Sequence, residues 1–197
     1  MKTQKSNSLK VVTKIAFLVT LLIVASCKNR EGSKESVTTV SQAKVKPPKI
    51  DIHTAVLTNN LDALKQHIAA GSNLNEKDPV GGSSPLITAC LFDKREMAKT
   101  LIESGAQINF QNNDGSTALL TASFFCRPEI VKMLLDKGAD KTIRNKYGST
   151  AYASVAGSFS DVKNTYDMMG KMLAPMGLKL DYAYIEKTRP EIAAMPK

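Results

Sequence analysis

The chain has 197 residues, of which 43% are hydrophobic, enough for one packed domain of ordinary size with appendages. Aromatic residues make up only 6% and tryptophan is absent, which suits short packed helices better than an aromatic-lined enzyme pocket. The formal net charge is +9, but segments 1–26 and 27–50 each carry +4, whereas residues 51–197 carry 17 basic and 16 acidic side chains. The nearly balanced part therefore has no evident electrostatic basis for binding nucleic acid.

The N-terminal segment 1–26 has the order of a targeting signal. Lysines precede an apolar run from Ile15 to Ala25, which is shorter than the roughly 20 residues that span a membrane. A membrane anchor retained as a helix is the alternative interpretation. The run ends Val24-Ala25-Ser26-Cys27, which resembles the bacterial lipobox, where small residues precede a cysteine. The resemblance implies a signal peptide cleaved before Cys27, whose lipidated thiol anchors the chain to a membrane of the cell envelope, on the periplasmic side or the cell surface.

Residues 27–49 have the composition of a linker. They are rich in Lys, Ser, Thr, Val and Gln, they carry almost no large apolar side chains, and they close on Pro47-Pro48. No helical or strand period runs through them, so we expect a disordered tether. A coil of this length reaches about 25 Å on average, which would hold a folded domain near a membrane surface.

A regular sequence period organises the rest of the chain. Gly71, Gly105 and Gly138 close successive apolar helical patterns at nearly equal intervals, and Ala89 and Ala122 repeat the interval. A period of about 33 residues is typical of a β-turn followed by two antiparallel helices. Since one such unit cannot bury its apolar face alone, three or more units must stack.

The best-formed copy spans 113–140. It reads NDGSTALLTA, then EIVKMLL, then GAD, and it resembles the ankyrin pattern D-G-x-T-P-L-H-x-A, E-I-V-x-L-L-L, G-A-D. The resemblance covers about residues 50–180. It implies an all-α solenoid of about four helix-turn-helix repeats joined by short β-turns. The repeats are expected at about 50–78, 79–112, 113–145 and 146–180, with 181–197 as a C-terminal cap or tail.

The fourth copy departs from the others. After its opening Gly148-Ser149-Thr150, it needs about six extra residues, around Gly157 to Ser160, before its second helix reaches Gly177. In the second and third copies Ile87 and Leu120 replace the family's histidine, whose imidazole ties adjacent loops together. We therefore expect some loss of rigidity in those loops.

Two histidines and two further cysteines are expected to be structural. His53 matches the loop-tying histidine of the family, and His67 falls at an apolar core position of a second helix. Cys90 aligns with Ser123, whereas Cys126 aligns with an inter-helix turn, so the two thiols lie at different heights of successive repeats. A disulfide needs Cα atoms about 4.4–6.8 Å apart, and we expect both thiols to be free.

No pattern in the sequence indicates catalysis, a metal or a cofactor. Neither C-x-x-C nor H-x-x-x-H occurs, so a zinc site is unsupported. The run 81–84, GGSS, lacks the lysine and the strand–helix context of a phosphate-binding loop, and the repeat alignment explains it as a β-turn. The sequence therefore predicts a binding protein and not an enzyme.

The resemblance also implies a binding surface. In ankyrin domains, partners contact mainly the turn tips and two positions near the end of each first helix. The helix positions here are Leu57-Thr58, Leu91-Phe92, Phe124-Phe125 and Gly157-Ser158, among which Leu57, Leu91, Phe92, Phe124 and Phe125 are the candidate contacts; the turn tips are Val80, Gly81, Asn113, Asp114, Lys146 and Tyr147. Exposed clustered aromatics would mark a protein interface, and the alternative is that these rings support packing.

The functional prediction is a monomeric, lipid-anchored envelope module that holds a protein partner on its concave face. The partner could be an envelope enzyme, which would make the chain a scaffold or protective cofactor. It could also be a toxin, which would make the chain an inhibitor or immunity protein. The alternative is a purely structural or self-associating module without a specific ligand.

Overall fold

The computed structural model describes residues 45–195. The predicted signal segment 1–26, the lipidation site Cys27 and the tether up to residue 44 lie outside the described residues. Within 45–195, no helix combines the length and the apolar character needed to cross a membrane.

Residues 45–195 form α-helices joined by turns and contain no β-strand. In chain order the helices are α1 (Ile52–Leu57), α2 (Leu61–Ala69), α3 (Pro85–Leu91), α4 (Arg95–Glu103), α5 (Ala118–Phe124), α6 (Pro128–Asp136), α7 (Ala153–Ala156), α8 (Phe159–Leu173) and α9 (Tyr182–Ala194). A short 3-10 helix, Ala174–Met176, follows α8 directly.

The helices stack in two layers. The inner helices α1, α3, α5 and α7 pack on one another in this order, and the outer helices α2, α4 and α6 do the same. Each outer helix of the first three pairs also packs on the inner helix that precedes it. This arrangement is the predicted solenoid of two-helix repeats.

Local signals in the sequence start the inner helices α3 and α5 and end the outer helices. The hydroxyls of Ser84 and Thr117 accept hydrogen bonds from backbone N–H groups of Ile87 and Leu120, which caps α3 and α5 at their N-termini. Pro85 is the first residue of α3, where its missing N–H leaves no bond unmade. The glycines that follow the outer helices adopt left-handed φ angles, 72° at Gly71 for example.

One continuous hydrophobic core runs through the stack. The inner helices α3 and α5 have an inner helix on each side and an outer helix behind them, so residues 85–90 of α3 and 118–123 of α5 are all buried. An outer helix buries only one face, as α6 does with Ile130, Val131 and Leu134. Ala89 and Ala122 are fully buried where neighbouring inner helices meet, because a small side chain lets the helices approach closely.

The turn between inner and outer helices contains a left-handed residue at the same place in the first three repeats. These residues are Asn59, Asp93 and Cys126, with φ angles of 57°, 51° and 54°. Cys126 thus lies in an inter-helix turn, as the alignment predicted. Both Cys90 and Cys126 are buried and free, which confirms the expectation that they form no disulfide.

The fourth repeat differs from the expected form. Helix α7 has only four residues. The chain continues from it through Gly157 and Ser158, which are extended, where the earlier repeats have a left-handed residue. Helix α8 then runs for 15 residues, six more than each earlier outer helix, so the extra residues lengthen a helix. The helix that packs mainly on α7 is α9, which also contacts α6. Residues from 182 onward therefore take the place of the fourth outer helix, which the sequence assigned to the region before Gly177.

Candidate functional site

The β-turn that opens the second repeat is organised by Asp78. Its carboxylate accepts hydrogen bonds from the backbone N–H groups of Val80, Gly81 and Ser83 at 2.8, 2.7 and 2.6 Å. Partial burial tends to raise the pKa of Asp78, but these N–H donors outweigh burial and hold the pKa below its ordinary value. The turn is therefore fixed by a charged acceptor at its centre.

The next two turns use an asparagine at the same place. The Oδ1 atom of Asn112 accepts from the N–H groups of Asp114 and Ser116, at 3.0 and 2.8 Å. Asn145 repeats the arrangement in the following turn, with Tyr147 two positions beyond it. Three consecutive turns thus present one residue at the same point of a fixed loop. We call Val80, Asp114 and Tyr147 the turn-tip row.

Backbone hydrogen bonds join neighbouring turns. The N–H of Asn113 donates to the carbonyl of Gly81 at 2.9 Å, and the N–H of Lys146 donates to the carbonyl of Asp114 at 2.8 Å. A Cβ at Gly82 would lie 2.3 Å from Oδ1 of the Asn113 side chain, so that side chain would have to move. Gly82 also has a φ of 65°, a left-handed conformation that favours glycine.

The loops are tied together even where the family's histidine is missing. His53 lies 3.0 Å from the carbonyl of Glu76 through its Nε2 atom, as the resemblance implied. Ile87 and Leu120 are buried apolar residues and make no such bond. Asparagines nevertheless join successive loops: Oδ1 atoms of Asn75 and Asn109 accept from the N–H groups of Gln107 and Asp140, at 2.8 and 2.9 Å. The lower rigidity expected for the loops without histidine stays a prediction.

His67 has a structural role as well. Its ring nitrogens lie 2.9 Å from the carbonyl of Ile50 and 3.0 Å from the hydroxyl of Ser72, and the residue is buried. Both imidazoles thus have hydrogen-bond partners within the fold, in agreement with the sequence interpretation. No group of three or more His, Cys, Asp or Glu side chains in the part of the chain that the structure describes is arranged to hold a metal ion.

The turn-tip row carries two large exposed apolar side chains. Val80 is 90% exposed and Tyr147 is 78% exposed, and Asp114 between them is exposed too. The flanking predicted residues Asn113 and Lys146 are also exposed. The rigid backbone of the turns holds these side chains in solvent, where they have no packing role.

The predicted residues on the inner helices are less accessible. Leu57, Leu91 and Phe92 are half-buried, and the last two pack against the core. Phe125 is only 2% exposed and belongs to the core, so its ring is not offered to a partner. The prediction of Phe125 as a surface anchor is corrected by this placement: at this residue the packing alternative holds.

Phe124 is covered by a helix that the repeat pattern does not contain. Tyr166 of α8 stacks on it with ring centroids 4.5 Å apart, and Phe124 meets Phe125 edge to face at 5.1 Å. The Tyr166 hydroxyl also donates to the carbonyl of Phe124. Tyr166 itself is fully buried. Since α8 has no counterpart in the preceding repeats, the sequence alignment gave no signal that this helix would cover the end of α5.

Comparison with known proteins agrees with this geometry. A family model for ankyrin repeats, in three copies, matches residues 52–145. The chain is 34% identical over 77 residues to human protein phosphatase 1 regulatory subunit 27, a match that covers 39% of this chain and 49% of that protein. The mouse protein of the same name is 34% identical over 64 residues, with 32% and 41% covered. The chain thus spans about half the length, or less, of these curated relatives.

A solved structure gives the same assignment. The ankyrin repeat domain of Bcl-3, described as a unique member of the IkappaB protein family, superimposes with a TM-score of 0.51 at 30% sequence identity. The match covers 52% of this chain and 45% of that one. Residues 52–145 are therefore ankyrin repeats, and the fold is an all-α ankyrin-repeat solenoid.

Proposed function

We propose that this chain is a lipid-anchored envelope module that binds a protein partner through the turn-tip row and the adjoining concave face. Ankyrin repeats generally mediate contacts between proteins, and their stacking creates extended surfaces suited to this. The curated relatives are named regulatory subunits of a phosphatase, and a regulatory subunit is a binding role rather than a catalytic one.

The observation that carries the proposal is the exposure of Val80 and Tyr147 on rigid turns. Apolar side chains that are 90% and 78% exposed contribute little to the stability of the fold, so their apolar surface remains available for burial against a partner. The turns are already fixed by Asp78 and Asn145, so little conformational entropy is lost on binding. Asp114 between them adds a charge that selects the orientation of the partner.

The membrane anchor is supported by the sequence of residues 1–27. A lysine-bearing start, a short apolar run and a lipobox-like end follow in the order of a lipoprotein signal. Several acyl chains on Cys27 would give stable anchoring, and the tether would leave the repeats free to meet a partner near the membrane. Such a partner would be an envelope enzyme that the chain scaffolds or protects, or a toxin that it inhibits.

The test is affinity capture from the membranes of the source cell, followed by mass spectrometry. The bait is the mature chain, compared with a Val80→Ser/Tyr147→Ser variant. We expect the variant to lose the captured partner, because removal of interface anchors typically lowers affinity thirtyfold or more. The matched control is Lys65→Gln/Lys99→Gln, two exposed residues of the outer helices α2 and α4, which should capture normally.

Three results would count against the proposal. Equal capture by the turn-tip variant and the wild type would place the binding surface elsewhere. Capture of the chain itself, and of nothing else, would favour the self-associating module. A wild-type protein that is soluble and still carries residues 1–26 would contradict the lipid anchor.

A further inference from the structure

A cleft opens between α7 and α9. Its volume is about 380 Å³, at the lower end of the range for small-ligand sites. Its lining is mixed: one part is apolar and includes Phe159, Pro190 and Ala193, another part is polar, and the charged residues are Arg189 and Glu186. The cleft exists because α9 has taken the place of the outer helix beside the short helix α7.

Arg189 is 2% exposed and has only neutral partners. Its Nη1 atom donates to the carbonyl of Ser154 at 3.3 Å and to the hydroxyl of Tyr166 at 3.1 Å, and its Nη2 atom donates to the carbonyl of Gly157 at 3.1 Å. The Nε atom is buried without a hydrogen-bond partner. Among residues 45–195, none of the ion pairs includes Arg189.

A buried guanidinium without a carboxylate is an unusual arrangement. The carbonyls of Ser154 and Gly157, at the end of α7, accept hydrogen bonds from some N–H groups of the guanidinium, and Arg189 thereby caps that helix. They do not neutralise its charge, and a charge removed from water is costly unless it is paired. The guanidinium can bind a carboxylate through two parallel N–H bonds, for which Nε and the second hydrogen of Nη2 remain.

We propose that this cleft binds a carboxylate carried on an apolar group, with Arg189 as the counter-charge. The apolar wall would receive the side chain or alkyl group, and the guanidinium would receive the carboxylate. The same chemistry is found at the C-terminal residue of a polypeptide and in a free small carboxylic acid. Because Nε is covered, we expect the guanidinium to rotate slightly when the ligand enters. This inference does not rest on the function proposed for the turn-tip row.

The charge of Glu186 offers a second way to test the role of Arg189 in binding a carboxylate. It is exposed, it lines the same cleft, and it lies one helical turn from Arg189 without forming an ion pair with it. The carboxylate of a ligand that enters the cleft is repelled by Glu186 and attracted by Arg189. Substitutions of these two residues should therefore change carboxylate binding in opposite directions, which a role in folding alone does not predict.

The experiment is a titration of the ¹⁵N-labelled full chain, read out by NMR at the Nε–H signal of Arg189. The probes are N-acetylleucine and its neutral match, N-acetylleucinamide. We expect the acid to shift this signal and to bind at least tenfold more tightly than the amide, because only the acid forms a charge-assisted pair. A hexapeptide ending in leucine, with a free or an amidated C-terminus, distinguishes the two sources. Tighter binding of the free peptide than of N-acetylleucine assigns the site to a polypeptide, and equal binding assigns it to a small acid.

Variants separate binding from folding. Glu186→Gln should tighten binding of the acid on the order of threefold, the size of one charge interaction in water, and leave the amide unchanged. Arg189→Gln should abolish the preference for the acid. Should that variant unfold, Ala156→Leu tests the cleft instead: it fills the lining and should weaken binding at least tenfold. Ala153→Leu, an exposed residue of α7 outside the lining, is its control. Equal affinity for acid and amide, or unchanged acid binding in Glu186→Gln and Ala156→Leu, overturns the proposal.

Discussion

The hydroxyl oxygen of Tyr166 lies 3.1 Å from Nη1 of Arg189, and this contact joins α8 to α9. The same hydroxyl donates to the carbonyl of Phe124 at the end of α5. Arg189 in turn caps α7 through the carbonyls of Ser154 and Gly157. Two side chains therefore hold four helices at the C-terminal end of the stack, where the regular repeat pattern breaks down.

Removal of the Tyr166 hydroxyl should destabilise this end of the fold. In Tyr166→Phe the ring remains stacked on Phe124, but the carbonyl of Phe124 loses a partly buried hydrogen bond and one buried N–H of Arg189 loses an acceptor. Leaving buried polar groups unsatisfied costs about 1–3 kcal/mol, and the urea midpoint should fall accordingly. Tyr147→Phe is the control, because Tyr147 is 78% exposed. An equal midpoint for both variants would contradict the role given to the hydroxyl.

The roles of Phe125 and Tyr147 can be separated with two substitutions. Phe125→Ala should lower the free energy of unfolding by about 3–5 kcal/mol, as expected for truncating a buried aromatic ring. Tyr147→Ala should leave the melting temperature nearly unchanged and weaken binding of the captured partner. Thermal melts and a binding titration on both variants give the answer. A stable Phe125→Ala protein that no longer binds would restore the ring as a surface anchor.

Ala122 lies where neighbouring inner helices meet and is fully buried. Ala122→Leu adds three carbon atoms between α5 and its neighbours, and overpacking of this kind costs about 1–3 kcal/mol. Chemical denaturation should therefore show a lower midpoint. Ala69→Leu, at the exposed end of α2, adds the same atoms in solvent and should have little effect. Similar midpoints for the two variants would show that the stack adapts freely at Ala122.

Alkaline pH should destabilise the protein through its buried thiols. Burial raises the pKa of Cys126 to about 11 and raises the pKa of Cys90 as well. Because the folded state holds these protons more tightly than the unfolded state, the associated stability is complete below the unfolded thiol pKa of about 8.5. It is lost as the pH rises through about 11 for Cys126.

The free energy of unfolding, followed from pH 7 to 11, should fall above about pH 9. Cys126→Ala should make that fall less steep, whereas Ser123→Ala, a nearby buried residue that does not titrate, should leave the slope unchanged. Both thiols should also react with a maleimide after unfolding without reductant. A slope that is identical in Cys126→Ala and in the wild type would exclude Cys126 as a contributor.

Cys27→Ser tests the lipid anchor. Only a thiol at this position can accept the diacylglyceryl group, so the variant should not be lipidated. It should partition into the aqueous phase of a detergent extraction or accumulate uncleaved, while Cys90→Ala should partition like the wild type. Normal membrane anchoring of Cys27→Ser after cleavage before residue 27 would refute the lipoprotein assignment.

The sequence by itself determined the repeat architecture and its local geometry. The regular interval between glycines, the hydroxyls of Ser84 and Thr117 and the small Ala122 act within a few residues of their own position. Such signals can be recognised in a single sequence because each repeat presents them again. They also located the turn tips, whose conformation depends on one side chain and the next few backbone groups.

Only the tertiary structure decided what happens after the third repeat. The number of extra residues could be counted, but α8 and α9 have no preceding copy that shows which of them packs on α7. Phe124 and Phe125 occupy contact positions in the alignment, yet their accessibility depends on Tyr166, which belongs to a helix much later in the chain. The cleft at Arg189 likewise arises from helices brought together by packing. Local patterns fix helices and turns, whereas the burial of a side chain depends on distant residues that sequence spacing does not identify.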